Sequence, residues 1–401
     1  MRLIAIALLA KILHFGSMAR KFDPLILTQA LIEKPSVTPI DAGAMDLLSE
    51  ALADLGFKVT RYVFEGIENL YARIGNKAPN FCFAGHTDVV PTGDLSKWRF
   101  PPFSATVVDG TLFGRGAADM KSAIAAFVCA AQQFIAENGG RKGSISLLIT
   151  GDEEGVAING TVKLLAAIEA MGEKIDHCIV GEPTCRETLG DMIKNGRRGS
   201  INCTVTSIGK QGHVAYPNLA KNPIPALITF LNQVQNHVLD EGAAGFQPSN
   251  LEIVTIDVGN PATNVIPQSA VAKLNIRFNT NHSGESLSVW LKSAAHDVSE
   301  FFDIELVLDV AISGEPFFTA PSAFTNIIQS ATQRLTGILP ELSTTGGTSD
   351  ARFIKNHCPV CEFGIIGATL HQIDENVEIS DIYKLTEIYK EILAQYFETK
   401  W

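Results

Sequence analysis

The chain repeatedly crosses a short apolar run and stops on an acid or an imidazole. Phe81-Cys-Phe-Ala leads into Gly-His86, the run from Ile145 to Thr150 into Gly-Asp-Glu153-Glu154, and Cys178-Ile-Val into Gly-Glu182. Runs so short and so uniformly apolar suit strands buried on both faces. Between them the spacing turns helical: Leu25 to Ile32, Ala44 to Leu55 with Gly56 as its stop, and an Ala-rich helix from Met120 to Glu137 after Asp119. This alternation predicts an α/β fold with a central, mostly parallel or mixed sheet flanked by helices. In such sheets ligands gather beyond the carboxyl ends of the strands, which is where these acids and imidazoles fall.

A chain of 401 residues is expected to divide into two domains. From 199 to 310 the pattern changes. Strand-like segments from Ile201 to Ser207, Leu251 to Val258, Val271 to Phe278 and Ile304 to Val310 alternate with helical ones from Pro225 to Val238 and Glu285 to Phe301. The order β-α-β-β-α-β is that of a ferredoxin-like α+β domain. It reads as an insertion, because a further metal-type residue, His371, returns only after it. Residues 21–198 and 311–401 therefore form the expected catalytic domain, ending in an amphipathic helix from Asp381 to Phe397. Residues 1–20 read as an extension or a misassigned start. Their apolar stretch is broken by Lys11, lacks a small-x-small cleavage site and is too short to span a bilayer, while Met18 offers another start.

The net charge of −11 argues against nucleic acid, whose phosphates need a basic face, and nothing points to a membrane. An anionic small molecule remains open to a few local arginines. Seven cysteines lie mostly in apolar runs, as buried free thiols do in a reducing, cytoplasmic setting. Cys358-Pro-Val-Cys361 has no second such pair with which to close a zinc site.

Imidazole and carboxylate without thiolate is the donor set of a catalytic metal site with an open position. The candidates are His86, Asp119, Glu153, Glu154, Glu182 and His371, with Asp88 placed to accept the second ring N–H of His86. Singly, each has an ordinary reading: Asp119 as a helix cap, Glu153-Glu154 as a solvated acidic loop, His86-Thr-Asp88 as a loop pair. Their recurrence after apolar strands favours the metal. Two metals roughly 3.5–4 Å apart can share a hydroxide and clamp a tetrahedral intermediate. Two rivals fail. In Gly114-Arg-Gly-Ala-Ala-Asp119-Met-Lys-Ser, Met120 stands where a phosphate loop needs glycine, and no Gly-x-Ser-x-Gly elbow supports a serine nucleophile.

The segments GHTDVVP, LFGRGAADMKS, TGDEEG and GEPT resemble the family of di-zinc exopeptidases and amidohydrolases that includes acetylornithine deacetylase and aminoacylase. Residues 190–200, 210–217 and 264–267 are most similar to its bacterial desuccinylase branch. The resemblance runs from about residue 24 to the C-terminus. It implies His86 and Glu182 on one zinc, Glu154 and His371 on the other, and Asp119 bridging, with cobalt as a possible substitute. It further implies Glu153 as general base, and a homodimer built by the inserted domain in which His213 reaches the partner's active site. The expected reaction is hydrolysis of the amide of N-succinyl-LL-2,6-diaminopimelate, in lysine and diaminopimelate biosynthesis. Arg197, Arg198 and Arg277 are candidates for the substrate carboxylates, with Arg197 and Arg198 not separable by sequence. Ser200, Tyr216, Asn264, Gly346, Gly347 and Thr348 carry over as further substrate contacts. Gly367 and Asp374 depart from the branch's pattern, each standing where asparagine is common. The alternatives are another N-acyl amino acid hydrolase, or a non-catalytic metal-binding protein.

Overall fold

The computed structural model describes residues 21–138 and 143–401; the expectations for 1–20 lie outside them. It divides into two compact units.

The first unit holds residues up to Ile193, Pro321–Pro340 and His357–Trp401. Its strands lie in the order Lys58–Phe64, Ile67–Ile74, Ser144–Thr150, Asn80–His86, His177–Val180, Val360–Glu362. The last four run parallel, and the first two form an antiparallel hairpin at the edge. The sheet is thus mixed, as the alternation predicts. Asn80–His86 and Ser144–Thr150 are buried along their whole length, which is why neither shows polar alternation. Phe81 and Phe83 project from one face of their strand to meet Phe127 of the helix Ser122–Glu137 and Tyr396 and Tyr389 of the helix Ile379–Glu398. A separate three-stranded sheet pairs Thr111–Phe113 with both Thr106–Val108 and Asn376–Glu378.

The second unit holds Lys194–Ala320 and Glu341–Asn356. Its sheet is antiparallel, in the order Asn250–Asp257, Ser269–Phe278, Gly199–Ile208, Glu305–Gly314. With the helices Pro223–Gln235 and Gly284–Phe302 this makes the expected β-α-β-β-α-β order. Ile201, Cys203 and Val205 alternate inward against Leu227, Phe230, Leu287 and Leu291 of the helices. The unit's bounds are wider than 199–310. Its last long strand continues to Gly314, opposite Ser200. The returning segment belongs to it because the Thr344 hydroxyl donates to the Gly245 carbonyl at 2.7 Å and Gly314 lies against Arg352.

Candidate metal centre

Three parallel neighbours, Asn80–His86, Ser144–Thr150 and His177–Val180, end on the same side of the sheet. His86 is the last residue of the first, Glu153 and Glu154 follow the second, and Glu182 follows the third. The glycine before Glu182 is a packing requirement: a Cβ on Gly181 would lie 2.7 Å from the Met120 terminal methyl and run into the Phe83 ring. Asp119 and His371 arrive by another route. The pairing of Thr111–Phe113 with Asn376–Glu378 sets the loop after the first strand beside the loop before the second. All seven side chains of the expected cluster lie in this one unit.

The two oxygens of Asp119 divide between the imidazoles. Oδ1 lies 3.2 Å from His86 Nε2 and Oδ2 3.2 Å from His371 Nε2. Glu154 Oε1 stands 2.8 Å from His371 Nε2, and Glu182 Oε1 3.9 Å from His86 Nε2. His86, Glu153 and Glu182 bring donor atoms within 4.8 Å of one another, as do His86, Asp119 and Glu154. The helix-cap reading of Asp119 fails on this geometry. The helix starts at Ser122 rather than Met120, because Asp119 and Met120 have non-helical backbone.

Asp88 departs from expectation. His86 Nδ1 bonds the main-chain carbonyl of Asp88 at 2.9 Å, while the carboxylate stands at 3.7 Å. The carboxylate instead accepts from the N–H groups of Glu153 (3.2 Å) and Glu154 (3.0 Å). Residues 153–155 form a bend rather than extended chain, so two successive N–H groups converge on one acceptor.

Electrostatics matches a site that wants positive charge. Burial and then the neighbouring Asp119 and Glu153 push the Glu182 carboxyl well above its usual range, and its buried Oε1 has no hydrogen-bond donor. Hydrogen bonds to Asp119 and Glu154 raise His371 to about 10. Burial disfavours charge on His86, but Asp119, Glu182 and Glu153 carry it well above its usual value. Burial raises Asp88 to about 6.

The remaining candidates lie in the second unit, in three groups. His213 sits on a two-residue strand opposite Val265, with Val214 N–H donating to the Asn264 carbonyl at 3.0 Å and the Tyr216 ring 5.7 Å from the imidazole. Arg197 donates to the Thr345 carbonyl at 3.3 Å, and Gly346, with φ of 108°, packs against its guanidinium. Thr348 and Gly347 belong to the same loop. Arg198 and Arg277 form the third group with Ser200: Arg198 bonds Asn250 Oδ1 at 2.8 Å, Arg277 bonds Asn275 Oδ1 at 3.0 Å, and Arg277 stands opposite both Asn250 and Ser200. Burial, and for Arg198 the charge of Arg277, lowers both guanidinium values.

Three residues of this centre escape the sequence reading: Arg115, Lys121 and Glu375. Lys121 is fully buried, donates to the Lys34 carbonyl at 2.7 Å and is pushed down to about 7 by burial. A lysine and an arginine inside the motif around Asp119 are the signal that was available.

A model of the peptidase family M20/M25/M40 matches residues 82–395. The chain belongs to that family. It is 56% identical over 376 residues to a succinyl-diaminopimelate desuccinylase of Maricaulis maris, covering 94% of this chain and 96% of the relative. A protein of the same name from Phenylobacterium zucineum is 54% identical, covering 95% and 100%. Among solved structures, an M20 family metallo-carboxypeptidase from Sulfolobus solfataricus aligns with a TM-score of 0.77 at 19% identity, over 94% of this chain and all of that one. A dinuclear metal-binding M20 peptidase from Bacillus subtilis aligns with a TM-score of 0.71 at 16% identity, over 94% and 98%. Those two likenesses show the fold. Membership in the M20/M25/M40 family makes the chain a hydrolase, and His86, Asp119, Glu153, Glu154 and Glu182 are its candidate metal-binding groups.

Proposed function

We propose that the chain hydrolyses the amide of N-succinyl-LL-2,6-diaminopimelate, releasing succinate and LL-2,6-diaminopimelate, with two zinc ions for which cobalt can substitute. The observation that carries the metal pair is Asp119, whose two oxygens each face a different imidazole. The three carboxylates of this set, Asp119, Glu154 and Glu182, hold the two imidazoles toward the protonated form, and bound divalent ions would take the place of those protons. The donorless Glu182 Oε1 is what a cation would satisfy. The substrate follows from the shared name of relatives more than 50% identical over nearly the whole chain.

His86 and Glu182 would hold one ion, His371 and Glu154 the other, and Asp119 both. When bound, the ions supply a water of lowered pKa and a Lewis acid for the succinyl carbonyl. Glu153 takes the proton of that water and passes it to the leaving amine nitrogen. Asp88 fixes the bend that carries Glu153. The guanidinium groups of Arg197, Arg198 and Arg277 suit the several carboxylates of the substrate. In this reading two copies pair through the second unit, His213 of the partner subunit donates to the developing oxyanion, and the enzyme works in the cytoplasm. Among the described residues no helix is long and apolar enough to cross a membrane.

The test is hydrolysis of the succinylated diamine against acetylornithine, with and without added zinc. Succinyl amide cleavage that needs zinc is expected, and preference for the acetyl substrate would overturn the assignment. Glu153→Gln should keep both metals and lose about 10²–10⁴-fold in kcat. Near-normal turnover by that variant removes Glu153 from the proton path.

A further inference from the structure

Outside the ligating set, the first unit contains a carboxylate that touches both halves of it. Glu375 is fully buried. Its Oε1 accepts from three main-chain N–H groups, those of Gly116 (3.1 Å), Ala118 (2.9 Å) and Asp119 (3.1 Å). Its Oε2 accepts from Arg115 Nη1 at 2.6 Å. Arg115 also donates to the carbonyls of Gln372 (3.2 Å) and Pro91 (3.4 Å), and its guanidinium lies 5.3 Å from the Trp98 ring centre. The main-chain carbonyl of Glu375 accepts from Gly114 N–H at 2.9 Å.

One side chain therefore fastens the loop that ends in Asp119 to the loop that begins at His371. Burying a carboxylate and a guanidinium is costly, and the charge-assisted bonds around Glu375 and both Arg115 terminal nitrogens offset that cost, with Arg115 Nε left unpaired. His371 itself has φ of 60°, a left-handed backbone that L side chains rarely adopt, so its loop needs support from outside.

We propose that Glu375, acting with Arg115, is a positioning residue that holds Asp119 and His371 at the separation a metal between them requires. This rests on the reading of the centre as a two-metal site. Neither residue ligates the metal; Glu375 sets the Asp119 backbone, and Arg115 sets the loop around His371. Partners of this kind typically change metal affinity by about 10–100-fold when removed.

Cobalt(II) titration of metal-free protein, followed by calorimetry and visible absorption, tests the idea. Glu375→Gln keeps an oxygen for the three N–H groups but turns an amide NH₂ toward Arg115, breaking that link alone. Arg115→Met breaks it from the other side. Each variant should weaken one binding event about 10–100-fold and leave the other within about threefold. The weakened event should be the one that His371→Ala abolishes. The double variant should bind no more weakly than Arg115→Met alone, because that change already removes the bond that Glu375→Gln breaks, along with the bonds to the Gln372 and Pro91 carbonyls. A merely architectural role would instead lower the melting temperature of the metal-free protein and weaken both events alike. That result, or wild-type affinities in both variants, overturns the proposal. If Glu375→Gln does not fold, Arg115→Met carries the same test. Failure of the unaltered protein to take up two ions would remove the two-metal reading and this inference together, whereas unchanged variants beside a competent wild type remove only the role of Glu375.

Discussion

Asp88 illustrates how a side chain can matter at a place other than the one its spacing suggests. His-x-Asp spacing implies a carboxylate–imidazole pair, yet the main-chain carbonyl fixes the His86 tautomer and the carboxylate gathers the N–H groups of Glu153 and Glu154. Asp88→Asn should therefore leave the His86 contact intact while turning an NH₂ group against one of those N–H donors. Misplacing a reacting group by about 1 Å can cost on the order of 10²-fold, so kcat should fall by about that factor with metal content unchanged. Loss of metal with normal turnover per bound ion would point back to the imidazole. The two departures from the family branch also find structural roles. The Asp374 carboxylate accepts from Arg99 N–H at 2.7 Å. A Cβ on Gly367 would sit 2.8 Å from the Pro183 carbonyl oxygen, directly after Glu182. The acids and imidazoles of the candidate centre could be picked out as a set because such side chains are rare at the ends of buried strands. Glu375 could not, since nothing in its spacing announces four donors brought from residues 115–119.

Among elements, the buried strands were the legible ones. Asn80–His86 and Ser144–Thr150 are apolar enough to announce themselves, whereas the edge hairpin Lys58–Phe64 and Ile67–Ile74 was not read. Its outer strand is half exposed with mixed polarity. Its turn depends on Glu65 and Gly66, both at positive φ (50° and 85°), the geometry of a two-residue hairpin. The strand His177–Val180 opens on an imidazole with a structural role. His177 Nδ1 lies 3.0 Å from the Tyr396 hydroxyl, and its ring centre lies 4.2 Å from that of Trp401 and 4.8 Å from that of Phe324. Burial lowers it to about 4. Its folded value is below the unfolded value of about 6.5, so the unfolded chain takes up the proton first. Stability tied to His177 is full above about pH 6.5 and is lost as pH falls toward 4. His177→Gln should flatten the melting temperature against pH across that window relative to the unaltered chain. Parallel curves for the two proteins would show that the proton does not distinguish folded from unfolded chain.

At the scale of the whole molecule, the change of element order marks the second unit in the sequence, and His371 of the candidate centre returns after it. The unit's true reach was not legible there, because Thr344, Gly346 and Arg352 join it through contacts distant in sequence. In the proposed reading, what the second unit contributes to catalysis is decided by assembly. His213 is exposed on a tip shared with Tyr216 and Asn264, and in the proposed reading it serves the site of the other copy. His213→Ala and Glu153→Gln would each silence both sites of a symmetric dimer. A mixed dimer would join one chain that has the base to another that has the imidazole, completing one site and leaving the second with neither. If subunits reassort at random in a two-fold dimer, half the dimers are mixed and about a quarter of normal activity should return when the two inactive variants are unfolded and refolded together. Service within one chain gives no such recovery, because each chain of the mixed dimer then lacks one group. An inactive mixture whose mixed dimers are demonstrated by mass spectrometry would therefore place His213 outside its partner's reaction, while recovery near the expected fraction requires that the working site be built from two chains.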